Sequence, residues 1–532
     1  MILDYPYTLA FGVDERQRPN AVAVAPLTVP TASLFAPDEN LVELMVQVDS
    51  HDFEVSDHTR LLRLPRTGPS RGRTRFDIVA RHEGDCSLTA TFHRAGNFVH
   101  QMTLTLPVVG SSPSPTPWGC RRPVVTGSGR LASGASSLQR RDVGLVISPA
   151  AQGGYQCICI GSRAAAVHLS VTPPALQAAL DELRGKLLDV VQLRVGNEYV
   201  FQTRLDIPEN VQEVALRIMA RAGARLFQQL FRNPADGADA RGLGDWLRQV
   251  TEDETPLTVQ VVSTGVPIPW SLLYLGDVGP GATLSWDRFL GMRHLVEQIP
   301  YVGSPSHDTT VVNSRPRLAV SVNVNTTIDV TMKATFVSDQ QQWWSAAAVS
   351  CPGQQLTVLP RSTRDELVSA LADPTTSDQI LYFYGHAVAS SLSDRGGPDA
   401  SALILSDGTL TLADLSLDAP RDVQLPGKPL VVLNACESAE LSPLFYDGFV
   451  PYFLDKGARG VVGTEAKTPA RFATAWAERF FRRLLGGQAI GEAVLELRRE
   501  LLAERRNPLG LLYAVHCDQD TRISPPLPLA RG

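Results

Sequence analysis

The chain has 532 residues, 44% hydrophobic and 20% charged, proportions ordinary for globular proteins and sufficient for three or four folded units at about 150 residues each. Its 49 basic and 55 acidic residues leave a formal charge of −6, so no overall basic field points to nucleic acid, and the short Arg121-Arg122, Arg140-Arg141 and Arg505-Arg506 pairs read as solvated faces. No stretch approaches eighteen uninterrupted apolar residues, the opening MILDYPYTLAFGVDERQ has no basic region before its apolar stretch, and seven scattered cysteines are an odd number; a soluble protein of the reducing cytoplasm is expected, without membrane span, signal peptide or disulfide framework.

Residues 1–110 read as all-β. The segments LVELMVQV, RLLRLP, TRFDIVARH, CSLTATFH and FVHQMTLTLPV follow one another with turn residues between them, and several alternate apolar and polar positions. An immunoglobulin-like β-sandwich accounts for this spacing. Histidines 51, 58, 82, 93 and 100 form no catalytic constellation in the sequence. Residues 111–141, rich in Ser, Gly, Pro and Arg, read as a flexible linker and as the place most open to a proteolytic nick.

Residues 142–305 change to mixed α/β. GLVISP and YQCICIG are strand-like, helices are expected behind Pro173-Pro174 and behind Pro208, and the second carries Val211, Val214, Ile218, Ala222, Leu226 and Leu230 as one apolar stripe. LTVQVV then reads as a strand leading to Pro269 and Trp270. Cys157 and Cys159 share a strand face, yet no second ligand pair accompanies them, so no metal is expected.

Residues 306–525 have the rhythm of a mostly parallel sheet with flanking helices. RLAVSVNVN, LTVLP, QILYFYGH, SALILS, PLVVLNAC, ARGVVGTE and GLLYAV alternate with helical stretches. Ser362 is expected to cap one helix with Asp365 three residues on, and Thr468-Pro469 to open another whose Phe472, Trp476, Phe480 and Leu484 face the core. GGQAIG lacks the strand and spacing of a dinucleotide site, so no cofactor is expected.

Two strings in this region carry chemistry. LYFYGHA contains His386 and PLVVLNACES contains Cys436, about fifty residues on, each closing an apolar run of strand length. In an open parallel sheet such run-ends lie along the carboxyl edge. A thiol of pKa near 8.5 is mostly protonated at neutral pH, at a cost of roughly 2 kcal/mol for the anion. A neighbouring imidazole can take the proton and pass it to a leaving amine. The backbone N–H groups of Cys436 and Ala387 are the candidate oxyanion donors.

The order His then Cys, each at a strand end, resembles the caspase-type cysteine peptidases, and the strings YGHA, VLNACES, NPLGLLYAV and VPIPWSLLY resemble segments of the CHAT domain over roughly residues 190 to 525. The resemblance implies an α/β caspase-like fold behind the N-terminal all-β sandwich, with 142–305 as a degenerate caspase-like half and 306–525 as the catalytic domain. It implies a cysteine endopeptidase cleaving a dedicated protein substrate, released by an activating partner, in bacterial signalling or defence. It also implies a substrate pocket at Asn434, Glu437 and Glu465. Two departures stand out: Ala387 where the family has glycine, and TEAKTP in place of a tryptophan-containing segment. The reading from another class is a catalytically inactive caspase-like scaffold that binds partners.

Overall fold

The computed structural model describes residues 1–14, 16, 21, 23–25, 31–110, 123–129, 138–150, 153–161, 165–250, 252, 255–263, 268–300, 310–350, 355–388, 397–435 and 448–527. Its chain divides into two units, one centred on Met1–Val146 and the other on Val167–Val302 with Thr309–Gly532.

The first unit is built from alternation. In Thr74–Ala80 every second side chain, Phe76, Ile78 and Ala80, is buried, the period of a strand with one face inward. That strand pairs antiparallel with Pro6–Phe11 and Phe53–Val55 to form one sheet. A second antiparallel sheet runs Thr59–Pro65, Leu41–Asp49, Gly84–Arg94, Asn97–Val108, Val124–Gly129. Both sheets share one core, in which Phe11, Phe53 and Phe76 meet Val46, Leu88 and Phe92. Phe11 sets its ring edge-on to Phe76 at 5.7 Å and to Phe92 at 6.2 Å. The arrangement is a β-sandwich.

The longest hairpin turns on Ala95 and Gly96, whose φ angles of 49° and 80° match the right-handed twist of the flanking strands. A Cβ at Gly96 would stand 2.2 Å from the Arg141 carbonyl oxygen, so only glycine fits. The Val124–Gly129 strand lies inside the segment expected as a linker. Its pairing with Asn97–Val108 shows that part of that segment belongs to the sheet; residues 111–122 and 130–137 lie outside the described residues.

In the second unit, Leu356–Arg361, Leu318–Val324, Ile380–Val388, Leu430–Ala435 and Gly460–Thr464 form a parallel sheet in that order, closed by antiparallel Tyr513–His516. Their side chains are apolar on both faces because helices cover both. Ala470–Leu485 lays Phe472, Trp476, Phe480 and Leu484 inward, each fully buried, as the spacing predicts. The capping box falls one residue later than the sequence suggests. Thr363 Oγ1 accepts from Glu366 N–H, and the Glu366 carboxylate accepts from the N–H groups of Thr363 and Ser362.

A further sheet ends in the parallel pair Thr258–Ser263 and Leu295–Pro300. Beside it the helix Glu209–Phe231 buries Val211, Ala215, Met219, Ala222, Leu226 and Leu230, while Val214 is 39% exposed. The expected stripe is therefore rotated at its first two turns. Gly223 gives the reason: a Cβ there would stand 2.3 Å from the Leu272 carbonyl oxygen, so the helix turns its small residues toward the approaching Trp270–Leu272 turn. No helix among the described residues is long and apolar enough to cross a membrane.

The two halves of this unit are tied by a buried cation. Arg498, on the helix Ile490–Arg505, is 2% exposed. It donates to the carbonyls of Gly291 at 2.7 Å, Gly510 at 3.2 Å and Tyr513, and to Ser271 Oγ at 3.2 Å. Desolvation pulls its pKa down to about 10, opposed by the charge of Glu465. Replacing Arg498 by Met is expected to cost about 3–5 kcal/mol, because buried carbonyls and a carboxylate lose their partner. Arg498→Lys should recover less than half, since one ammonium cannot reach acceptors fanned around a guanidinium. Urea unfolding followed by tryptophan fluorescence checks both; a loss under about 1 kcal/mol for Arg498→Met would contradict them.

His93, in the β-sandwich, is 1% exposed, and neither ring nitrogen has a hydrogen-bond partner among the described residues. Burial pushes its pKa down to about 3 and that of His100 down to about 4. Between pH 6.5 and those values the unfolded chain binds protons that the native state refuses, so the contribution is complete above pH 6.5 and lost as pH falls. His93→Leu is expected to leave the unfolding midpoint at pH 7 unchanged or raised and to flatten its fall between pH 7 and pH 5, measured by denaturant unfolding across that range.

Candidate active site

The strand Ile380–Val388 lies between Leu318–Val324 and Leu430–Ala435, parallel to both, so the three carboxyl ends share one edge. Its side chains alternate strictly. Leu381, Phe383 and Ala387 join one apolar core, where Phe383 meets Phe453 at 5.6 Å. Tyr382 and Tyr384 face the opposite layer of helices. Tyr382 Oη donates to Gln340 Oε1 at 2.8 Å, and its ring meets Phe481 at 4.9 Å. Tyr384 Oη bonds Thr474 Oγ1 at 2.9 Å and donates to the Ala470 carbonyl at 3.2 Å. His386, two residues on, continues the Tyr382–Tyr384 face and is half-buried.

The parallel register pairs Tyr384 with Asn434 and Gly385 with Ala435. Beyond that point the histidine strand changes partner. His386, Ala387 and Val388 pair antiparallel with Ile404, Leu403 and Ala402. Ala387 therefore sits inside a paired strand, 2% exposed, where the sequence suggests an opening loop. A small cleft opens beside His386, walled by Asn323, Asn325, Phe383, Leu403 and Leu405. Cys436 and Glu437 lie outside the described residues.

Asn434 borders this cleft, yet its carboxamide is fully buried and bonded on three sides. Its Nδ2 donates to Tyr382 Oη at 3.2 Å and to the Ala473 carbonyl at 2.9 Å, and its Oδ1 accepts from Tyr513 Oη at 2.6 Å. Tyr513 in turn stacks on Trp476 at 3.6 Å. A side chain so engaged braces the end of the strand. Glu465 is 6% exposed, its N–H donates to the Leu512 carbonyl at 2.7 Å, and its carboxylate opposes the desolvation of Arg498.

Two residues that the sequence reading left without a role stand at the same edge. Asn323 Nδ2 donates to the Tyr382 carbonyl at 3.1 Å, and Asn323 Oδ1 accepts from Ser321 Oγ at 3.0 Å. Asn325, just past the strand end, accepts from Thr327 N–H at 2.9 Å and from Thr327 Oγ1 at 2.7 Å, and its N–H donates to the Tyr384 carbonyl. The signal was the string NVN closing the first strand of the series: polar residues at one strand end become informative once the neighbouring ends carry His386 and Cys436.

Residues 221–521 match the family model described as the CHAT domain. A probable protease of Vitiosangium sp. is 34% identical over 143 residues, which cover 25% of this chain and 17% of that protein; the chain thus spans about a sixth of the length of this curated relative. Two solved structures of the Saccharomyces cerevisiae separase-securin complex match 72% of this chain and 30% of theirs. Their TM-scores are 0.38 and 0.36 at 10% and 11% identity, too low for the likeness to bear on this chain. The α/β region that carries the His386 edge is caspase-like and follows an N-terminal β domain. With more than half of its 532 residues matched by that model, the chain belongs to the CHAT-domain family.

Proposed function

We propose that this chain is a cysteine endopeptidase of the caspase type, with His386 as general base and Cys436 as nucleophile. The observation that carries the reading is the strand register. Gly385 pairs with Ala435, the residues that immediately precede His386 and Cys436 in the sequence. Side chains alternate along a strand, so the face of Tyr382 and Tyr384 continues to His386. The Asn434–Tyr382 hydrogen bond joins the two strands on that side of the sheet.

In this mechanism the His386 imidazole takes the Cys436 proton, and the thiolate attacks the scissile carbonyl carbon. The backbone N–H of Cys436 holds the developing oxyanion. His386 then protonates the leaving amine, and a water activated by the same imidazole hydrolyses the thioester. Glu437, next in sequence after the nucleophile, contributes to the substrate pocket, whereas Asn434 and Glu465 support the edge from within the core. The substrate is a dedicated protein, the enzyme is held quiescent until a partner releases it, and the setting is a cytoplasmic bacterial signalling or defence pathway. The family match and the related probable protease support the peptidase reading.

Cys436→Ala and His386→Ala should each lower cleavage of the protein substrate by at least about a thousandfold while leaving the thermal unfolding curve in place. Full activity in either variant would sink the dyad. A peptidyl electrophile at pH 7 should label Cys436 ahead of Cys86, which is fully buried and whose thiol pKa burial raises; equal rates would favour an inactive scaffold.

Asn434→Leu removes a bridge between Tyr382, Tyr513 and Ala473, and is expected to cost about 1–3 kcal/mol and to reduce kcat. Cleavage-site preference in a peptide library should stay unchanged. A changed preference would return Asn434 to the substrate pocket.

A further inference from the structure

The β-sandwich brings Asp52 against His82 and Cys86, thirty residues further along the chain. Asp52 lies in the turn between the strands Leu41–Asp49 and Phe53–Val55, His82 in the turn before Gly84–Arg94, and Cys86 on that last strand. The imidazole of His82 stands between the other two. Its Nε2 is 3.0 Å from Asp52 Oδ1, and its Nδ1 is 3.6 Å from Cys86 Sγ. One donor atom from each residue falls within 4.8 Å of the other two. We propose that Asp52, His82 and Cys86 form a binding site for a zinc-class divalent cation on the β-sandwich, separate from the peptidase edge.

Three properties of the cluster support this. The donor set of one thiolate, one imidazole and one carboxylate suits borderline cations such as Zn²⁺, with a fourth position left for water. The carboxylate is pre-oriented, because Asp52 Oδ2 accepts from the Ser87 N–H at 2.7 Å and from Ser87 Oγ at 3.2 Å while Oδ1 faces the imidazole. Such outer partners commonly fix the ligands of a metal centre. The cluster also has an inner wall and an open side: Cys86 is fully buried, whereas the His82 side chain is 52% exposed. Ligand bonds of about 2.0–2.3 Å need the donors to draw closer than they stand, and rotation of the exposed imidazole supplies that movement. Binding would displace the thiol proton, leaving Cys86 as thiolate.

The test is a Co²⁺ titration of the full chain carrying Cys436→Ala, so that the proposed active-site thiol cannot contribute. One equivalent should produce a thiolate-to-cobalt charge-transfer band, and Zn²⁺ should then bleach it. Adding Cys86→Ser should abolish the band. Asp52→Asn and His82→Ala should each weaken binding by about a hundredfold, and Ser87→Ala by about tenfold. Cys157→Ser should leave the band unchanged. Absence of the band in the parent, its persistence with Cys86→Ser, or undiminished affinity in His82→Ala, where the altered side chain is exposed and folding is not at stake, would each overturn the proposal.

Discussion

The in-phase pairing of Ile380–Gly385 with Leu430–Ala435 is the constraint on which the site depends. Parallel strands hydrogen-bond at even intervals, and a slip of one residue would send every side chain on one strand to the opposite face. Here both faces are covered and each has its own chemistry. Phe383 and Leu433 belong to a purely apolar core, while Tyr382, Tyr384 and Asn434 meet the helix layer with hydrogen bonds. A slip would bury either the two tyrosines or Asn434 in the apolar core and leave their partners unpaired. The register is thereby specified chemically as well as sterically.

The layer beneath the edge has an unusual amount of polar work for a core. Tyr382, Asn434 and Tyr513 form a connected set, and Gln340, Thr474 and two helix carbonyls complete it. Aromatic rings enclose it: Trp344, Phe481, Trp476 and Phe480. Buried hydrogen bonds of this kind add directional preferences that apolar packing lacks. They suit a place where a strand end must point one way.

Much of this organisation was legible from the chain. The strand series from RLAVSVNVN to GLLYAV and the aromatic face of Ala470–Leu485 follow from periodicity, which reports burial directly. What escaped depends on partners distant in sequence. The bracing of Asn434 was one such feature, because a lone strand does not reveal that Tyr513, far along the chain, will donate to its carbonyl oxygen. The helix Glu209–Phe231 turned its alanines inward because a turn some fifty residues later presses on Gly223. The cap moved from Ser362 to Thr363 because adjacent Ser and Thr both satisfy the local pattern, and the choice falls to which glutamate or aspartate can reach back. Asp52, His82 and Cys86 match no spacing rule, since two β-turns bring them together.

Arg498 has a bearing on how this protein can be taken apart. Its guanidinium gathers acceptors from Gly291 and Ser271 as well as from Gly510 and Tyr513, so the part of the unit before residue 300 supplies part of the solvation shell of a cation rooted in the part after it. A fragment beginning near residue 306 would carry that cation without two of its acceptors, next to apolar surface stripped of cover. The smallest piece that can be expressed as a faithfully folded unit therefore includes both halves, and any failure of a shorter fragment would speak about its folding first.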